Sequence, residues 1–186
     1  MKKTLLTLLL FTLPALAQNV REIDTANSRL TVFAYKTGVF SFAAHDHDIS
    51  APIAGGQVNE SEQNPSVTLR VNTKDMKVLD PKESEKNRAK IQRDMQTKVL
   101  AIEQYPTIEF TSAKIMKTGD HWTVEGILAL HGQSKPVTVT VNRTGPHYTG
   151  EAKLKQTDFD ITPISVAGGT VKVKDEIKVT FEIALK

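Results

Sequence analysis

The chain has 186 residues, a formal net charge of +3 and no cysteine. The cysteine count excludes disulfides, thiol chemistry, Cys-ligated zinc and iron–sulfur clusters. The near-neutral balance, with lysines and glutamates scattered along the chain, gives no electrostatic case for nucleic acid or an anionic membrane as partner.

Residues 1–17 read as a secretory signal peptide. Lys2 and Lys3 form a basic start, Leu5 to Leu13 an apolar run, and Ala15-Leu16-Ala17 a small-x-small cleavage site. The apolar run is too short to span a membrane as a helix. Cleavage after Ala17 leaves a 169-residue domain, 18–186, with a charge of +1. That length suits one domain with a real core. The expected location is the periplasm.

The next informative stretch is FSFAAHDHDIS, residues 40–50, which carries two of the five histidines. In a strand, side chains two apart share a face. His45 and His47 would then stand together, with Asp46 and Asp48 on the opposite face. Two imidazoles at that spacing can ligate one zinc, copper or nickel ion if another strand supplies a third ligand. His121, His131 and His147 all lie at or near turns, so that convergence is not visible. The alternative is a strand whose apolar part lines a pocket and whose histidines sit where the lining turns polar.

Beyond it, period-two alternation dominates. Val67, Leu69 and Val71 mark one strand. Trp122, Val124, Leu128 and Leu130 keep one parity around Gly126. Val137, Val139 and Val141 mark another, and Ile177, Val179, Phe181 and Ile183 the last. Turns are expected at 117–120, 131–136 and 144–146, and Gly55-Gly56 and Gly168-Gly169 read as bends or close backbone approaches. Short strands about ten residues apart point to an antiparallel barrel or sandwich. One segment breaks the pattern. Asp80 reads as an N-cap, Pro81 as the first helical residue and Glu83 as the capping-box partner. Ile91, Met95 and Val99 recur every four residues. The spacing predicts an amphipathic helix over about 81–100, its stripe covering one end of the barrel.

No phosphate loop, dinucleotide fingerprint, nucleophile elbow or HExxH occurs. A His-dependent enzyme would rest on His45 or His47 alone, with no accompanying nucleophile.

Several motifs together resemble one family. These are IDTANSRLTVFAYKTG (23–38), YPTIEFTSAKI (105–115), WTVEGILALHGQSKPVTVTV (122–141), TDFDITP (157–163) and the final KVKDEIKVTFEIALK. They span nearly all of 18–186 and resemble the YceI-like proteins, which are periplasmic polyisoprenoid-binding proteins. The resemblance implies a mainly β fold: a single eight-stranded antiparallel lipocalin-like barrel with one helix and a long apolar tunnel. It implies a non-enzymatic protein that holds an isoprenoid or similar amphipathic lipid and requires no cofactor. The expected ligand contacts are Phe33, Phe40, Phe42, His45, His47, Phe110, Trp122, Leu128, Leu130, Val139, Phe159, Val179 and Phe181. The alternative is a divalent metal on His45 and His47. Lipid would be met by encounter, without stable membrane insertion, and a homodimer is left open.

Overall fold

The structure is a computed structural model and describes residues 19–37, 46–166 and 171–186. The alternating runs form the strands β1 (Val20–Glu22), β2 (Arg29–Thr37), β3 (His47–Ser50), β4 (Ile53–Asn59), β5 (Ser66–Asn72) and β6 (Lys77–Val78). After helix α1 (Glu85–Asp94) come β7 (Thr107–Thr118), β8 (His121–Leu130), β9 (Gln133–Thr144), β10 (His147–Lys155), β11 (Ser165–Val166) and β12 (Val171–Ala184). The fold is mainly β, as the alternation and the family resemblance imply.

The sheet order is β1-β4-β5-β7-β8-β9-β10-β12-β2-β3-β6, with β11 beside β12. All described pairings are antiparallel. The order hides a continuity. β3 and β4 are separated only by Ala51 and Pro52, and they pair with opposite flanks of the sheet: β3 with β2, β4 with β5. They are two halves of one bent strand that curls the sheet back on itself. Pro52 has no N–H to give a ladder, so the bend falls where pairing would be lost anyway. Ala51 N–H still donates to Leu30 O at 2.9 Å. β1 fills the seam that the bend opens. Ile23 N–H donates to Gly56 O (3.0 Å), and Asp24 N–H to Ala184 O (2.9 Å). Counted this way, eight long strands make the expected barrel, and β1, β6 and β11 are short additions.

Parity along the strands is not uniform. A bulge between Ser112 and Lys114 shifts β7 by one residue, so that Phe110 and Ile115 both face inward despite their odd spacing. The expected turn at 131–136 is shorter than its composition suggests. Only His131 (φ 51°) and Gly132 (φ 77°) turn, and β9 starts at Gln133. Pro136 lies within β9. It is tolerated because β10 pairs only with Thr140–Thr144, so this part of β9 has its ladder on the β8 side alone. Gly132 also leaves room for the Tyr105 ring, which a Cβ there would meet at 2.7 Å.

The helix starts later than the capping pattern predicts. Ser84 is the N-cap, its Oγ accepting from Asn87 N–H at 3.2 Å, and the last turn widens to a π turn over Met95–Val99. Asp80 does not cap because its buried carboxylate is engaged elsewhere: Oδ1 accepts from Asp48 N–H at 3.0 Å and Oδ2 meets His47 Nδ1 at 2.6 Å. The stripe behaves as expected. Met95 and Leu100 join Val71, Leu130, Phe159 and Ile161 in one buried cluster, with Ile91 and Val99 against it. Gln92 pins the helix to β6, accepting from Val78 N–H (2.8 Å) and donating to Met76 O (2.9 Å). The family-like motif at 157–163 opens on a 3-10 turn. Asp175 takes the N–H and hydroxyl of Thr157 (2.9 and 2.8 Å), holding that turn, Gln156–Phe159, which drives Phe159 into the core.

Gly126 lies under the Phe110 ring, and a Cβ there would meet ring atoms at 2.4 Å and Thr111 O at 2.6 Å. Gly126→Ala must displace both ring and backbone. It is expected to lower stability by about 1–3 kcal/mol, read as a shifted urea midpoint at unchanged slope.

Candidate functional site

The inward faces of the strands enclose a cavity of about 1080 Å³. β2 contributes Leu30, Val32 and Ala34; β8 contributes Trp122, Val124, Leu128 and Leu130; β9 contributes Val137, Val139 and Val141; β12 contributes Ile177, Val179, Phe181 and Ile183. The lining is thus built by the alternation itself. Of the residues expected from the sequence, His47, Phe110, Trp122, Leu128, Leu130, Val139, Phe159, Val179 and Phe181 lie on it. Phe33 does not. Its neighbours Leu30, Val32 and Ala34 hold the inward parity, so Phe33 points outward, with Lys178 Nζ 5.4 Å from its ring centre. Phe40, Phe42 and His45 lie outside the described residues. Ile108, Ile115 and Leu154 also line it without having been expected, as do Val67, Leu69 and Val71, whose shared strand face the alternation shows.

The two ends of the cavity differ. At one end stand the β4–β5 connection and the turns after β7 and β9. There Glu60 is a junction. Tyr148 Oη donates to its Oε1, Arg21 Nη1 lies 3.4 Å from Oε2, and Arg143 Nη1 lies 3.9 Å from Oε1. Arg21 is itself anchored by carbonyls of Lys186 (2.9 Å) and Leu185 (3.1 Å). Trp122 and Tyr148 meet edge to face at 6.1 Å, with Lys117 Nζ 5.6 Å over the indole and Arg143 Cζ 5.4 Å over the phenol ring. The Tyr148 hydrogen bond, then Arg21, holds the Glu60 carboxyl below the usual carboxylate range. Burial, then the Glu60 contact, pushes the Tyr148 hydroxyl up.

At the other end, α1 and the 3-10 turn form an apolar floor, and His47, Lys36 and Lys155 stand on the lining near it. His47 belongs to β3, and its Asp80 partner orients the imidazole. Of the other described histidines, His131 Nδ1 is 3.1 Å from Phe159 O, His147 Nδ1 is 3.0 Å from Glu182 Oε1, and His121 opens β8. Asp46 accepts from Lys36 N–H at 3.0 Å, and Asp48 pairs across to Phe33. Among the described residues, no three His, Asp or Glu side chains gather at metal-binding distance.

The YceI-like domain profile matches residues 22–185. The chain belongs to the YceI family. Protein YceI of Salmonella arizonae is 28% identical over 121 residues, 58% of this chain and 59% of that relative; the chain thus spans about three fifths of its length. Burkholderia cenocepacia BcnA shares the fold at a TM-score of 0.66 and 17% identity, over 87% of this chain and 98% of that one. A polyisoprenoid binding domain from Saccharophagus degradans shares it at 0.59 and 10% identity, over 91% and 98%.

Two outcomes follow from the site's contacts. Asp80→Ala strips the partner from both His47 and the Asp48 N–H, and is expected to cost about 1–3 kcal/mol in chemical denaturation. Glu60 is held below its ordinary range, so its contribution to stability is complete above the normal glutamate pKa. That contribution is lost as pH falls through the lower folded value. The urea-midpoint gap between wild type and Glu60→Gln should therefore be constant at neutral pH and narrow below about pH 4.

Proposed function

We propose that this chain is an exported, non-enzymatic binding protein that holds an isoprenoid or similar amphipathic lipid inside its barrel. The observation that carries the reading is the cavity. At about 1080 Å³ it stands at the upper limit of the range of small-molecule pockets, about 300–1,000 Å³. Its wall is a continuous series of inward Val, Ile, Leu and Phe side chains. An apolar chain placed there leaves water at roughly 0.8 kcal/mol per CH2, and nothing in such a wall selects for chemistry along the tail.

Three further points support this reading. The shared fold includes a domain described as polyisoprenoid binding. The basic start, apolar run and Ala-x-Ala of residues 1–17 have the form of an export signal, and the periplasm is the compartment we infer. No helix of the described residues is long and apolar enough to cross a membrane. His47 has an orienting carboxylate, yet the described contacts bring it no nucleophile, so binding accounts for more of the site than catalysis does.

The test is organic extraction of protein purified without added lipid, followed by mass spectrometry. Val139→Trp, which fills the middle of the wall, should abolish the retained species while leaving the far-UV circular dichroism unchanged. Wild-type protein that yields no lipid and fails to retain added farnesol would refute the proposal.

A further inference from the structure

We infer that the collar of Lys117, Trp122, Arg143 and Tyr148 around Glu60 seats an anionic head group. The amphiphile would then lie with its head at the β9–β10 turn and its tail toward α1. This rests on the carrier reading above and adds to it an orientation and a head-group class.

The charge arrangement is the reason. Glu60 is the carboxylate at the centre of the collar, and two of its partners are close: the Tyr148 hydroxyl and Arg21. Arg21 is fixed by two backbone carbonyls as well, so its charge and that of Glu60 answer one another. Arg143 is different. Its Nε reaches Gly145 O at 3.3 Å, and its Nη1 lies 3.9 Å from Glu60, at the outer limit of an ion pair. No carboxylate of the described residues forms an ion pair with Lys117, whose ammonium lies over the Trp122 ring. Glu62 also borders the opening and, like Lys117 and Arg143, is exposed to water; among the described residues no ion pair joins it to either cation. Two cations are therefore left facing the cavity over two aromatic rings. A guanidinium fork and a mobile ammonium suit a phosphate or carboxylate.

The opposite end lacks this geometry. Lys36 and Lys155 also stand on the lining there, but among the described residues neither lies over an aromatic ring, and Lys90 is paired with Asp94 at 2.7 Å. Its floor is Met95, Leu100 and Phe159, which suit a tail.

Trp122 is the chain's only tryptophan, so its emission reports on the collar directly. Farnesyl monophosphate and farnesol, which share a tail, are titrated against wild type, a Lys117→Gln/Arg143→Gln variant and a Lys36→Gln/Lys155→Gln control at the other end. Circular dichroism and a thermal melt confirm folding of each. Wild type should prefer the phosphate by about tenfold or more and shift its Trp122 emission with it. The collar variant should lose that preference while keeping its farnesol affinity, and the control should keep the preference. Equal wild-type affinity for the two compounds would overturn the head-group assignment and leave the carrier reading standing. So would a preference lost in the control but kept in the collar variant. Binding of neither compound would overturn both.

Discussion

The constraint on which the rest depends is closure of the backbone ladder. A curled sheet with free edges would expose rows of unpaired N–H and C=O groups and admit water to its interior. Here the bend at Ala51-Pro52 lets one length of chain serve both flanks, as β3 against β2 and as β4 against β5. β1 then covers the seam through Ile23 and Asp24. With the ladder closed, one face of every long strand is enclosed, and period-two alternation becomes an inside and an outside.

Closure alone does not decide whether that inside is solid or hollow. The helix end is solid: Met95 and Leu100 descend from α1 onto Phe159, Ile161 and Leu130, and Gln92 bolts the helix to β6. Along the wall, glycines sit opposite large rings. Phe110 lies over Gly126, and Phe181 over Gly150. A ring that occupies the space of a missing side chain lies along the wall and projects less into the lumen. The far end is finished by polar groups in place of a plug. The cavity is thus what remains between a packed floor and a hydrogen-bonded rim.

Much of this is legible in the residues. The parity of Val137, Val139 and Val141, or of Ile177 to Ile183, assigns inward faces without any tertiary information, and those residues do line the cavity. Phe33 shows what happens when residue type is weighed above parity: an aromatic was expected inside, yet its neighbours Val32 and Ala34 hold that face. The bulge at Ser112 to Lys114 and the late start of α1 show where local rules yield. Asp80 has every local feature of an N-cap. A half-buried imidazole and a backbone N–H from β3, some thirty residues away, hold its carboxylate instead. No local pattern announces such a partner.

The sequence by itself determined the strand faces, the single helix and its stripe, the absence of thiol chemistry and the family, because each follows from periodicity, composition or short motifs. Only the tertiary structure decided which side chains meet across strands. Glu60, Arg21, Arg143 and Tyr148 come from four separate elements, up to 127 positions apart, and nothing in their own neighbourhoods marks them as one site. The His47–Asp80 pair likewise exists because β3 and the approach to α1 are brought side by side. Periodicity is a property of neighbours in the chain; convergence is a property of the closed ring.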